Sequence, residues 1–187
     1  MSGAHGHGAG HDHADPSNKR IALLIAVLAL VLAFSETLGK AAQTSALSLN
    51  IEASNLWAFF QAKTIRQTVL RTAAEQTAVT PSSPEGKKQI EAWRKTADRY
   101  QSEPETGEGR NELAARAKDA EKKRDTAMAA YHQYELASAS VQIAIVLASA
   151  SIVTGAGLLA WIGAGLGVVG IVFCLIGFFA PTAVHFF

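Results

Sequence analysis

Apolar positions follow two regimes along this chain. From Ile21 to Ser35, and again from Leu136 to Phe187, apolar residues run on with no Asp, Glu, Lys or Arg among them, whereas from Lys40 to Glu135 they recur every three or four residues between charges. Unbroken runs suit hydrocarbon, because a spanning helix takes about 20 apolar residues to cross roughly 30 Å. The first run is apolar all round rather than on one stripe, which separates it from a surface helix of a water-soluble fold. Residues 21–38 are therefore predicted as one span, with Glu36 at its water interface. The carboxyl-terminal run exceeds one crossing and predicts two spans, 136–153 and 158–180, joined by a turn at Thr154-Gly155-Ala156-Gly157.

The intervening segment, 39–135, has helical periodicity. Ala46, Leu49, Ala53, Leu56, Phe60, Lys63, Gln67, Leu70 and Ala74 step by three and four, a seam with two polar interruptions. Pro81 and Pro84 break that helix. A short helix over 85–101 carries Ile90, Trp93, Ala97 and Tyr100 on one face. After the loop at Glu103-Pro104-Glu105-Thr106-Gly107-Glu108-Gly109, a third helix follows with a seam of Leu113, Ala117, Ala120, Arg124, Ala127, Tyr131 and Tyr134, running into the second span without a breaker. Two long helices of opposite direction that bury such stripes against each other predict an antiparallel coiled-coil stalk on the order of 45 Å long. The fold class is thus all-α: an integral membrane protein with three transmembrane helices and this stalk inserted between the first and second.

Charge adds an exclusion. The 17 Lys and Arg against 16 Asp and Glu leave no basic excess to neutralise phosphates, so no nucleic-acid partner is expected. Cys174, the single cysteine, lies within an apolar run, where a thiol behaves as a small hydrophobe. No glycine-rich phosphate loop, Gly-x-Ser-x-Gly, Cys-x-x-Cys or His-Glu-x-x-His occurs, and no enzymatic activity is expected.

Candidate chemistry is confined to a few places. Residues 1–20 are rich in Gly, Ala and His and are predicted as an unstructured tail; His5, His7, His11 and His13 there, with Asp12 and Asp15 nearby, suit zinc, nickel or copper. Glu36 and Glu135 are both expected where a span meets the stalk, at similar depth. Trp57, Phe59, Phe60, Gln61, Lys63 and Arg66 form the most distinctive stretch of the insertion, suited either to a partner surface or to filling the space between stalk helices. Gly163, Gly167, Gly170 and Gly177 share one stripe of the last span, and small residues there let another helix backbone approach closely. Lys19-Arg20 beside the first span place the amino terminus in the cytoplasm, and the stalk and carboxyl terminus outside it.

The run Glu52-Ala53-Ser54-Asn55-Leu56-Trp57-Ala58-Phe59-Phe60-Gln61-Ala62-Lys63-Thr64-Ile65-Arg66 shortly after a first span, with Gln142-Ile143-Ala144-Ile145 in the second and Gly167-Val168-Val169-Gly170-Ile171-Val172-Phe173 in the third, resembles a bacterial family of uncharacterised membrane proteins, the domain of unknown function 4337. The resemblance implies a location in the inner membrane. Basic residues between the last two spans of relatives imply the orientation just given; this chain departs from that pattern with Gly155-Ala156-Gly157. The family carries no established activity. The expected function is a non-enzymatic scaffold or accessory subunit that meets lipid and a second copy or other membrane proteins. An oligomeric channel or transport accessory, and metal handling by the histidine tail, are the alternatives.

Overall fold

The computed structural model describes residues 16–79 and 83–183. They form four helices: α1, Pro16–Ala78; α2, Pro84–Gln101; α3, Arg110–Thr154; and α4, Gly157–Phe179. No strand occurs among the described residues.

Each boundary has a local cause. α1 starts at Pro16, inside the segment expected to be unstructured, so residues 16–20 belong to the first helix. Proline suits a first turn, where its missing N–H would go unused and its fixed φ is already helical. From there to Ala78 the chain contains no second proline and only Gly39 among glycines, so nothing stops the helix for 63 residues. α2 opens on Ser83, whose hydroxyl oxygen accepts from the Gly86 N–H at 3.2 Å, with Pro84 in its first turn. At the other end of α2, the Ser102 N–H donates to the Asp98 carbonyl at 3.1 Å. The α3–α4 turn depends on Gly155, whose φ of +72° lies in the left-handed region, and whose N–H donates to the Ser151 carbonyl at 3.0 Å.

Contacts divide the chain into two compact units. One comprises residues 16–39 of α1, 132–154 of α3, and α4. Its core is Leu28 against Val141 and Ala144, with Leu24, Val31, Ile145 and Leu166 packed around it. Large apolar side chains also point outward, among them Leu23 (67% exposed), Val146 (65%) and Trp161 (79%). Such an exterior suits hydrocarbon and not water. Three helices, α1, α3 and α4, are long and apolar enough to cross a membrane.

The other unit is built from residues 40–131. Here α1 and α3 run antiparallel: Asn50 meets Arg124, Trp57 meets Glu121, and Gln67 meets Arg110. Leu56, Leu113 and Ala117 form the core, with Trp57 and Phe60 packed on it. Every position of the α1 seam from Ala46 to Ala74 is buried or half-buried, as are Ile90, Trp93, Ala97 and Tyr100 of α2. The three-and-four spacing therefore locates the inward faces correctly, because burial of a helix stripe obeys the 3.6-residue period whatever sits at individual positions.

Candidate functional site

Two features of the second unit stand out physically: a buried polar knot and an uncharged outer helix face. The knot occupies seam positions where a core would ordinarily be apolar. Lys63 is only 5% exposed. Its ammonium lies 3.6 Å from a Glu108 carboxylate oxygen and 3.9 Å from one of Glu103, and sits over the rings of Tyr100 and Phe59 at 5.2 and 5.3 Å from their centroids. Carboxylates and ring faces together replace the water the ammonium has lost.

One turn further on, Gln67 is 2% exposed. Its amide donates to the Ala97 carbonyl at 2.9 Å and to Gln101 Oε1 at 3.2 Å, and its oxygen accepts from Arg110 Nη1. The Arg110 guanidinium also donates to Gln101 Oε1 at 3.1 Å and stacks 4.9 Å from the Phe60 ring centroid. Side chains from α1, α2, the loop and α3 thus engage one another, with the buried Arg110 Nε left without a hydrogen-bond partner.

The loop that closes the knot is held by Glu112. One of its oxygens accepts from the Ser102 hydroxyl at 2.7 Å and the other from the Glu103 N–H at 3.2 Å. The Ser102 hydroxyl, followed by backbone donors, holds the Glu112 carboxyl below its ordinary value. Gly109 is part of the same closure, since a Cβ there would lie 2.4 Å from the Glu103 nitrogen. A carboxyl whose folded pKa is depressed contributes stability above its unfolded value of 4.5, lost as pH falls through the lower folded value. Acid titration followed by amide exchange should accordingly release the 102–112 segment below that pH, and Glu112→Gln should abolish this pH dependence there.

The structure separates the residues that the sequence groups together. Trp57 donates through Nε1 to Glu121 at 2.8 Å and meets Phe60 edge to face at 5.4 Å. With Lys63 they belong to the interior of the unit, while Phe59 is 37% exposed and Arg66 faces outward. Gly163, Gly167, Gly170 and Gly177 of α4 are all buried. A Cβ at Gly163 would lie 2.8 Å from the Ala144 carbonyl oxygen; at Gly170, 2.5 Å from Val141; at Gly177, 3.0 Å from the Tyr134 ring; at Gly167, 2.4 Å from Leu28. The glycine stripe is thus filled by α3 and α1 of the same chain. Glu36 is exposed and accepts from Gln142 Nε2 at 3.3 Å, and Glu135 lies 3.7 Å from His132 Nδ1. His5, His7, His11 and His13 lie outside the described residues. Among the described residues, no three potential metal-ligating side chains come together.

Gln67, Gln101, Glu103, Glu108 and Arg110 are missed by motif searching. The available signal was chemical mismatch: Lys63 and Gln67 at neighbouring seam positions demand buried partners, and the polar ends of α2 and α3 are where the chain offers them.

The second feature is the outer side of α1. Leu47, Ile51, Ile65 and Val69 are 61%, 53%, 65% and 60% exposed, and Ala58 is exposed between them. Beside it an open groove of about 700 Å³ is lined by Gln43, Leu47, Asn50, Arg124 and Met128. Its only charge, Arg124, donates to Asn50 at 3.2 Å and to Asp125 at 2.8 Å.

The described residues thus define an all-helical protein with three helices apolar enough to cross a membrane, and a charged unit made of α2 with the adjoining parts of α1 and α3. Residues 17–180 match the profile of the family described as Domain of unknown function (DUF4337), and the chain belongs to that family. No curated protein and no solved structure matches it.

Proposed function

We propose that this chain is a three-span membrane protein of the bacterial inner membrane whose coiled-coil stalk serves as a self-associating scaffold or accessory subunit, without catalysis of its own. The supporting observation is how the interior of residues 40–131 uses its polar groups. Lys63, Gln67 and Arg110 are engaged by Glu103, Glu108 and Gln101, so the knot braces helices and offers no poised nucleophile or base to a substrate. What the unit presents to other molecules is surface. Lys19 and Arg20 flank the first span and favour a cytoplasmic amino terminus with the stalk in the periplasm. Purification in mild detergent with mass measurement tests the reading: the expected result is a multimer or a complex with another membrane subunit. A monomer with no co-purifying protein would overturn it.

One observation favours a second reading, an oligomeric conduit or transport accessory. Glu36 and Gln142 form an exposed polar pair between α1 and α3, and an ionisable group at that level suits a pore or proton path once several copies surround it. Three spans are too few to enclose one alone. Conductance in reconstituted vesicles that is lost in Glu36→Gln is the expected result under this reading, and silent vesicles would exclude it.

A further inference from the structure

We infer that the outer face of α1 between Thr44 and Gln76 is the surface on which a second copy of this chain docks, α1 against α1. The inference rests on the self-association proposed above and names its site. Leu47, Ile51, Ala58, Ile65 and Val69 step by four, seven, seven and four residues, which aligns them on one strip of a helix. That strip lies about half a turn from the buried seam, so the intrachain packing that covers Leu56 and Gln67 leaves it open.

Charge distribution sets this strip apart from the rest of the unit. α2 carries eight charged residues in 18, and residues 110–131 of α3 carry ten, whereas residues 40–78 of α1 carry six, of which Lys63 is buried. None of the six lies on the strip between Thr44 and Gln76; Lys40 adjoins one end and Arg66 borders one edge. Ser54, Gln61 and Thr72 are its uncharged polar members between Leu47 and Gln76, and the Thr44 hydroxyl is turned back to its own helix, donating to the Lys40 carbonyl at 2.9 Å.

The occupant follows from area and symmetry. A strip of this span is about 50 Å long at 1.5 Å per residue and about 10 Å wide, which offers about 500 Å² per copy and about 1,000 Å² for a pair, the size at which specific interfaces begin. Copies inserted in one membrane in the same sense present α1 in the same direction, so each residue meets its own counterpart across a two-fold axis. A charged strip would repel itself in that arrangement; this one carries nothing to repel.

The test uses the full-length chain in native membranes, with Cys174, the single cysteine, replaced by alanine. Ile51→Cys and Ile65→Cys should each yield a disulfide-linked dimer on mild oxidation, because the bond needs the two Cβ atoms within about 4.5 Å. Lys118→Cys, on the charged exterior of α3, should stay monomeric. The double variant Ile51→Arg/Ile65→Arg should convert the purified dimer to monomer with helicity unchanged. Cross-linking no stronger than at Lys118→Cys, cross-linking to a different polypeptide, or an unchanged mass in the double arginine variant would each overturn the assignment. If the wild-type chain is monomeric with no co-purifying protein, the scaffold reading falls with it; if it is monomeric beside another membrane subunit, or a multimer that the double variant leaves intact, only this face is wrong.

Discussion

Gly163→Leu should detach α4 from its neighbours. The Cβ position at Gly163 is 2.8 Å from the Ala144 carbonyl oxygen and 3.4 Å from the Ala148 nitrogen, so the obstruction is helix backbone, with no flexible side-chain end to swing aside. Leucine would force the two helices apart and lose contacts along the shared glycine face, including those at Gly170 and Gly177. Overpacking of this kind costs about 1 to 3 kcal/mol when neighbours can adjust, and the upper end is expected here because backbone must move. Gly165 provides the internal control. It lies on the same helix with open space around its Cβ position, so Gly165→Leu should change stability little. Unfolding of both variants in mixed detergent micelles, followed by circular dichroism, separates the two outcomes. Equal stability of the pair would mean that α4 does not depend on close approach at Gly163.

Lys63→Ala is expected to have the second large effect. Removing the ammonium leaves Glu103 and Glu108 facing each other beside the partly emptied space between Phe59 and Tyr100, of which Glu103 is 17% exposed. Removing one partner of a buried ion pair costs about 3 to 5 kcal/mol. The effect should fall at or below the lower end, because Glu108 is 52% exposed and Arg99 lies 3.1 Å from Glu103 and retains part of its compensation. Lys63→Met keeps the packing volume and should recover part of the loss. Urea or thermal unfolding of the two variants measures both. If methionine and alanine destabilise equally, the aromatic packing of the lysine stem contributes nothing; if neither destabilises, the knot is not what braces the unit.

The architecture was readable from periodicity, and the knot was not. Ala46 through Ala74, and Ile90 through Tyr100, point inward as their spacing requires, since the helix period alone decides which side faces a neighbour. The turn at Gly155 was readable for a similar reason: a glycine between two apolar runs marks the place where the backbone needs a positive φ. Lys63 and Gln67 interrupt the same seam, but their partners Glu103, Glu108 and Arg110 lie about 40 residues further along the chain, a separation no local pattern reports. The glycines of α4 show the opposite limit. Their spacing announced a close contact, while the identity of the contacting element, α3 and Leu28 of α1, is a tertiary fact. The start of α1 at Pro16 was hidden because the preceding polar composition gave no periodic signal.

The knot has a consequence for how the second unit comes apart. Lifting α2 away would simultaneously strip the Ala97 acceptor from Gln67, the Tyr100 ring from Lys63 and the Gln101 acceptor from Arg110. An 18-residue helix that would fray readily in isolation is thereby tied to the opening of three groups on two other helices. Melting of α2 and rupture of the α1–α3 pairing within residues 40–131 should be a single cooperative event, with the protected backbone amides of that unit sharing one opening free energy.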